Sequence, residues 1–141
     1  RLWVRDDGGG EVARRVLTLG SPHHGTAQAA LGAELAGGCP PACQQLVPES
    51  DLLRRLNAGD ETPAGPEWIS VWTTADATVT PPESARLDGA LNVPVQSVCA
   101  DARTRHEDLP DDPLVLGLVV DVLDTAQPAA PDAAEPTKLF A

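Results

Sequence analysis

Positive charge is the first thing this chain lacks. Its 141 residues hold one lysine (Lys138), nine arginines and 21 acidic side chains, for a formal net charge of −11. Nucleic-acid binding needs clustered Lys and Arg, so the balance argues against such a partner. An anionic membrane surface gains no support either. Long apolar runs are also missing. The best, residues 114–123, is far too short to span a bilayer, so no integral membrane segment is expected. There is no C-x-x-C pair and no histidine at a zinc-finger spacing, which makes a metal reading weak. Methionine is absent altogether, and the chain opens on R-L-W-V-R, which reads as the last turns of a helix stopped by Asp6-Asp7-Gly8-Gly9-Gly10. A chain that starts inside a helix without an initiator residue is expected to be the carboxy-terminal part of a longer protein.

Three cysteines leave one over. Cys39 and Cys43, in G-C-P-P-A-C-Q, are near enough to bridge within one loop, which would leave Cys99 unpaired. Any of the three pairings is open from the sequence, and three small buried thiols are the plain alternative. The expectation carried forward is a bridge involving Cys99, because closing a long loop restrains the unfolded chain more than closing a loop of about five residues. An odd count fits a secreted protein whose remaining cysteine lies outside this stretch.

What is present reads as alternating strands and helices. Arg15–Leu19 is a short apolar strand of the kind buried in a parallel sheet, ending in the polar loop S-P-H-H-G-T. Thr26 is placed to cap a helix that stops at Gly37-Gly38, and a loop or short helical turn follows over 39–47. Ser50 can cap a second helix in which Leu52, Leu53 and Leu56 share a face. Residues 68–74, β-branched and aromatic between prolines, read as a buried strand. Prolines 81 and 82 open at most a short helix, and residues 91–98 read as an edge or irregular strand because Pro94 interrupts them. Asp112 and Pro113 then start an apolar helix that should pack on the sheet. From residue 125 the Pro- and Ala-rich sequence lacks periodicity and reads as a disordered tail, which sets the domain at 1–124 and the tail at 125–141. The sum is an α/β fold with a parallel sheet and flanking helices, although three strands are few for covering both faces.

In parallel α/β sheets, chemistry collects outside the carboxyl ends of the strands. Asp76 follows the 68–74 strand and His106 follows the next one. The segments V-L-T-L-G-S-P-H-H-G-T, C-P-P-A-C-Q-Q-L, S-D-L-L-R-R-L-N and V-W-T-T-A-D-A-T-V-T-P-P-E-S-A-R-L-D-G-A-L-N-V closely resemble secreted bacterial lipases of the α/β-hydrolase superfamily, the small class 2-type triacylglycerol lipases, over about residues 1–124. The resemblance implies that Asp76 is the acid and His106 the base of a Ser-His-Asp triad. It implies that Ser21, His23 and His24 belong to a loop lining the substrate site. Asp88, in the turn D-G-A, and Asp101, in a loop, are the lesser candidates for the acid.

No serine fits the expected nucleophile. Ser21 stands in L-G-S-P-H rather than G-x-S-x-G, and Pro22 removes the backbone N–H an oxyanion hole would use. Ser70 and Ser97 fall within the expected strands. The elbow and the His-Gly oxyanion segment are therefore expected upstream of Arg1, with the strands that precede them. On that reading the edge of the Arg15–Leu19 strand lacks its inner neighbour, and the 141 residues alone should aggregate and not hydrolyse esters. The resulting expectation is an extracellular lipase or carboxylesterase, monomeric when complete, acting on a lipid or small ester. An acyltransferase on the same triad, and a non-catalytic secreted binding domain, are the alternatives.

Overall fold

A computed structural model describes residues 1–35 and 38–129. Its centre is β2 (Glu67–Trp72), the one strand among the described residues that is paired along both edges. The alternation of a strand sends Ile69 and Val71 to one face and Trp68, Ser70 and Trp72 to the other, and all five are buried. β1 (Arg15–Leu19) and β3 (Leu91–Pro94) lie on either side, both parallel to β2, with Leu17 opposite Ile69 and Val71 opposite Val93.

Seven helices surround this sheet among the described residues: α1 (Leu2–Asp6), α2 (Gly9–Val12), α3 (Ala27–Glu34), α4 (Pro41–Gln45), α5 (Asp51–Asn57), α6 (Val95–Val98) and α7 (Pro113–Asp124). The starts follow from their capping residues. Thr26 and Ser50 hydroxyls each accept a backbone N–H at 3.3 Å, and Asp112 Oδ1 accepts the Leu114 N–H at 2.8 Å, with Pro113 at the first helical position. α7 lays Leu114, Val115, Leu118 and Val122 on the Ile69–Val71 face, where Val93, Val95, Val98 and Leu109 complete the main core. The opposite face of the sheet packs Trp68 with Val4 and Leu87, and Trp72 with Val79 and Ala85. Arg15 fixes the end of α7 to the sheet. Its guanidinium donates to the carbonyls of Val122 and Leu123 at 2.6 and 2.8 Å, and also to those of Thr125 and Ala126, while pairing with Glu67 at 2.6 Å. A cation there complements the partial negative charge of the helix C-terminus.

Several expectations change. The strand over 68–74 forms one residue earlier and ends at Trp72, which leaves Thr73 and Thr74 free to begin the loop. The strand over 91–98 stops at Pro94: that residue has no N–H to extend the ladder, and Val95–Val98 turns into α6, so Ser97 is helical. The glycine stop after α1 holds only at Gly8, whose φ of 78° ends that helix, since Gly9–Val12 winds into α2. Of the tail, residues 130–141 lie outside the described residues, and the carbonyls of Thr125 and Ala126 are taken by Arg15.

The cysteine pairing is also corrected. Cys39 is bridged to Cys43 with a Cα–Cα separation of 5.4 Å, while Cys99 is a free, exposed thiol just after α6. The α3–α4 corner brings both partners together, so that each bridged sulfur lies near the Ala29 carbonyl, and Cys99 is carried away by β3 and α6. The loop-entropy preference lost to local geometry. Titration of the denatured protein should find one reactive thiol before reduction and three after it; three before reduction would contradict this pairing.

Candidate active site

Beyond Trp72 the chain turns sharply, and that turn builds the setting of Asp76. Its Oδ1 accepts the backbone N–H groups of Thr78 and Val79, both at 2.8 Å, so the loop folds around its own carboxylate. The side chain is 1 % exposed. Oδ2 is left for His106, whose Nδ1 lies 2.8 Å away. A carboxylate only accepts, so Nδ1 is the donor and Nε2 of the neutral ring holds the lone pair. Nε2 has no hydrogen-bond partner among the described residues, and the His106 side chain is 30 % exposed. The Asp76 carboxylate and the His106 imidazole thus sit together at the carboxyl end of the sheet, one buried and fixed, the other partly exposed.

His106 opens a 3-10 turn (His106–Asp108) that is anchored by the buried Leu109. Behind its ring lies Gly20, at the end of β1, with φ of 56°. A Cβ at Gly20 would stand 2.7 Å from Leu109 Cδ1 and 3.1 Å from His106 Nδ1. The β1 loop is tied in turn to the Asp76 loop: the Thr26 hydroxyl donates to the Thr78 carbonyl at 2.7 Å and accepts the Thr80 N–H at 3.0 Å. Asp88 lies in an exposed turn with Gly89 at φ of 80°, and Asp101 is exposed, so neither is near the His106 ring by hydrogen bonding.

The other candidates separate. Ser21 and His23 line a cleft of 270 Å³ with Arg1, Thr18 and the apolar Val16, Pro22, Leu46, Leu52, Leu53 and Leu56, and neither Asp76 nor His106 is part of its wall. His23 is buried, with Nε2 3.1 Å from the Thr18 hydroxyl and its carbonyl accepting from Asn57. Burial lowers its pKa from the usual 6.5 to about 4, the Arg1 guanidinium and His24 add to the effect, and Glu61 opposes it. His24 does not line the cleft; its Nε2 meets Glu61 Oε1 at 2.7 Å. Burial works to raise the Glu61 pKa, but the Asp88 N–H, His24 and Arg1 together hold it below its usual value. The Cys39–Cys43 bridge ties the loop before α4 to α4 itself, with both sulfurs near the Ala29 carbonyl of α3, whereas Cys99 borders a 580 Å³ depression with Arg103, Asp108 and Asp111 that includes neither Asp76 nor His106.

Four residues that frame the pair did not stand out in the sequence: Gly20, Thr73, Gln96 and Thr104. Only Gly20 carried a signal, a glycine after an apolar strand, which marks a backbone turn without showing what packs on it. Among the described residues no group of three or more His, Cys, Asp or Glu is arranged to hold a metal ion, and no helix is long and apolar enough to cross a membrane.

Comparison with known proteins places the fold. A scan against protein-family models and a search of curated proteins found no match. Among solved structures, the chain is similar to lipase B of Aspergillus fumigatus, with a TM-score of 0.73 at 20 % identity. The similarity covers 94 % of this chain and 36 % of that one, so the chain spans about a third of the neighbour's length. Three parallel strands with flanking helices therefore match part of an α/β-hydrolase-like fold.

Two outcomes follow from this geometry. Gly20→Ala must place a side chain at positive φ and against Leu109 and the His106 ring, a cost of about 1–2 kcal/mol from the backbone alone. Urea unfolding should show at least that loss, and an unchanged midpoint would contradict the contact. His23 gives a pH dependence. Its folded pKa is depressed, so the unfolded state binds more protons in the window between, and stability is full above pH 6.5 and lost as pH falls toward 4. The loss should be about 3 kcal/mol at most, from the size of the shift. His23→Gln should flatten that slope in denaturant melts between pH 4 and 7; an identical slope would exclude His23 as its source.

Proposed function

We propose that this chain carries the acid–base half of a serine-type carboxylic ester hydrolase, a lipase or carboxylesterase acting on triacylglycerol or smaller esters. The observation that carries the reading is the 2.8 Å contact between Asp76 Oδ2 and His106 Nδ1 at the carboxyl end of a parallel sheet, with Nε2 left open. Asp76 holds the imidazole in the tautomer whose Nε2 accepts a proton, and it stabilises the imidazolium once that proton arrives. His106 takes the proton of the attacking hydroxyl and later returns it to the leaving alkoxide. The buried carboxylate cannot swing away, because two backbone N–H groups hold its other oxygen.

The cleft beside the β1 loop suits an acyl chain: four leucines and a valine offer apolar surface, while Arg1, Thr18, Ser21 and His23 give it polar points. Ser21 acts there as wall rather than nucleophile, since Pro22 follows it. The nucleophile and the oxyanion donors come from a part of the enzyme preceding Arg1, which agrees with the third of a lipase fold that the chain covers. The chemistry calls for no cofactor. The disulfide suits an extracellular enzyme, the complete protein is read as a monomer, and its charge disfavours nucleic acid.

The test joins the 141 residues to an upstream segment bearing G-x-S-x-G and a His-Gly turn and follows p-nitrophenyl ester cleavage. The joined protein should hydrolyse esters where the 141 residues alone do not. His106→Ala should abolish the activity, and Asp76→Asn should lower kcat by up to about 10⁴-fold. Hydrolysis by the 141 residues alone, abolished by Ser21→Ala, would overturn the reading.

A further inference from the structure

We propose that Thr73, seated by Gln96, is a positioning residue that sets the Asp76–His106 hydrogen bond. Acid and base lie on different loops, 30 residues apart in sequence, so the contact between them depends on what fixes one loop against the other. Only a few atoms do so. Thr73, three positions before Asp76, is wholly buried, and its hydroxyl donates to the carbonyl of Thr104, two positions before His106, at 2.7 Å. The same oxygen accepts from Gln96 Nε2 at 2.9 Å and from the Ala75 N–H at 3.2 Å.

Gln96 spans both loops by itself. Its Oε1 accepts the Thr74 N–H at 3.0 Å, and its Nε2 also reaches the Ala102 carbonyl at 3.2 Å. Thr104 continues the chain of bonds by donating to Asp112 Oδ2 at 2.6 Å, and Asp112 Oδ1 caps α7. Each hydroxyl has one proton and each proton is spent once, so the direction of the whole chain is fixed. Removing the Thr73 hydroxyl leaves a buried carbonyl and an amide N–H without partners, and both loops are then free to move by the fraction of an ångström that a 2.8 Å hydrogen bond does not tolerate.

The catalytic meaning of this role rests on the acid–base reading proposed above, but its test does not need catalysis. In the full chain labelled with ¹⁵N-histidine, the Nδ1 proton of His106 is observed by NMR and its exchange with water is timed. Thr73→Val should speed that exchange about tenfold or abolish the resonance, the size expected when about one hydrogen bond's worth of order is lost. Thr73→Ser, which keeps the hydroxyl, should restore it. Ser70→Ala removes another buried hydroxyl of β2, one that donates to the Ala85 carbonyl at 2.6 Å, and should leave the His106 resonance unchanged. A wild-type resonance and exchange rate in Thr73→Val would overturn the proposal, and so would an equal loss in Ser70→Ala. Should Thr73→Val fail to fold, Gln96→Leu is read by the same measure, and an unchanged His106 proton there overturns it as well. Intact protection of His106 in a joined protein that hydrolyses no ester would instead count against the proposed function, and leave the positioning role standing.

Discussion

Double pairing of β2 is the constraint from which the rest follows. It is the sole strand with neighbours on both edges among the described residues, and its side chains divide the interior into two layers. Ile69 and Val71 hold α7 on one side; Trp68 and Trp72 anchor α1 and the loops on the other. Because the strand cannot shift without exposing both layers, its carboxyl end is a fixed point. A one-residue slip would exchange the two faces and bring Ser70 into the aliphatic layer.

Polar order is concentrated at that fixed point. Ser70, Thr73, Thr104 and Asp76 are all buried, and each has its hydrogen bonds made within the protein. In a low-dielectric setting such groups are costly if left unpaired and rigid when paired, and the His106 imidazole rests against this rigid set through Asp76. The exposed ion pairs contrast with this. Arg105 with Asp108 and Arg54 with Asp51 are open to solvent, and pairs of that kind contribute little.

Much of the frame could be read from residue pattern. Arg15–Leu19 forms as a strand with the expected bounds, and Thr26, Ser50 and Asp112 cap helices because their short oxygens lie where unpaired N–H groups begin. The placement of Asp76 and His106 after successive strands was visible for the same reason: position along a parallel sheet is a matter of order. What stayed hidden depends on distances between remote segments. Nothing in T-T-A-D tells that the first threonine reaches a carbonyl 31 residues on, nor does V-P-V-Q-S-V show that Gln96 sits on a helical turn spanning two loops. The cysteines failed on similar grounds, since a preference computed from the unfolded chain says nothing about which thiols the α3–α4 corner turns toward each other.

The distribution of aromatic rings has an optical consequence. With no tyrosine in the chain, ultraviolet emission comes almost wholly from three indoles, and two of them cap opposite ends of the central strand. Trp68 gives its N–H to the Pro63 carbonyl at 3.0 Å, at the end remote from Asp76 and His106, whereas the buried Trp72 N–H has no partner among the described residues and lies at their end. Trp3 is half exposed and supplies a solvent reference. Replacing either indole of β2 in turn thus makes the protein its own spectroscopic ruler, one that separates the opening of the site from the loosening of the far side of the sheet.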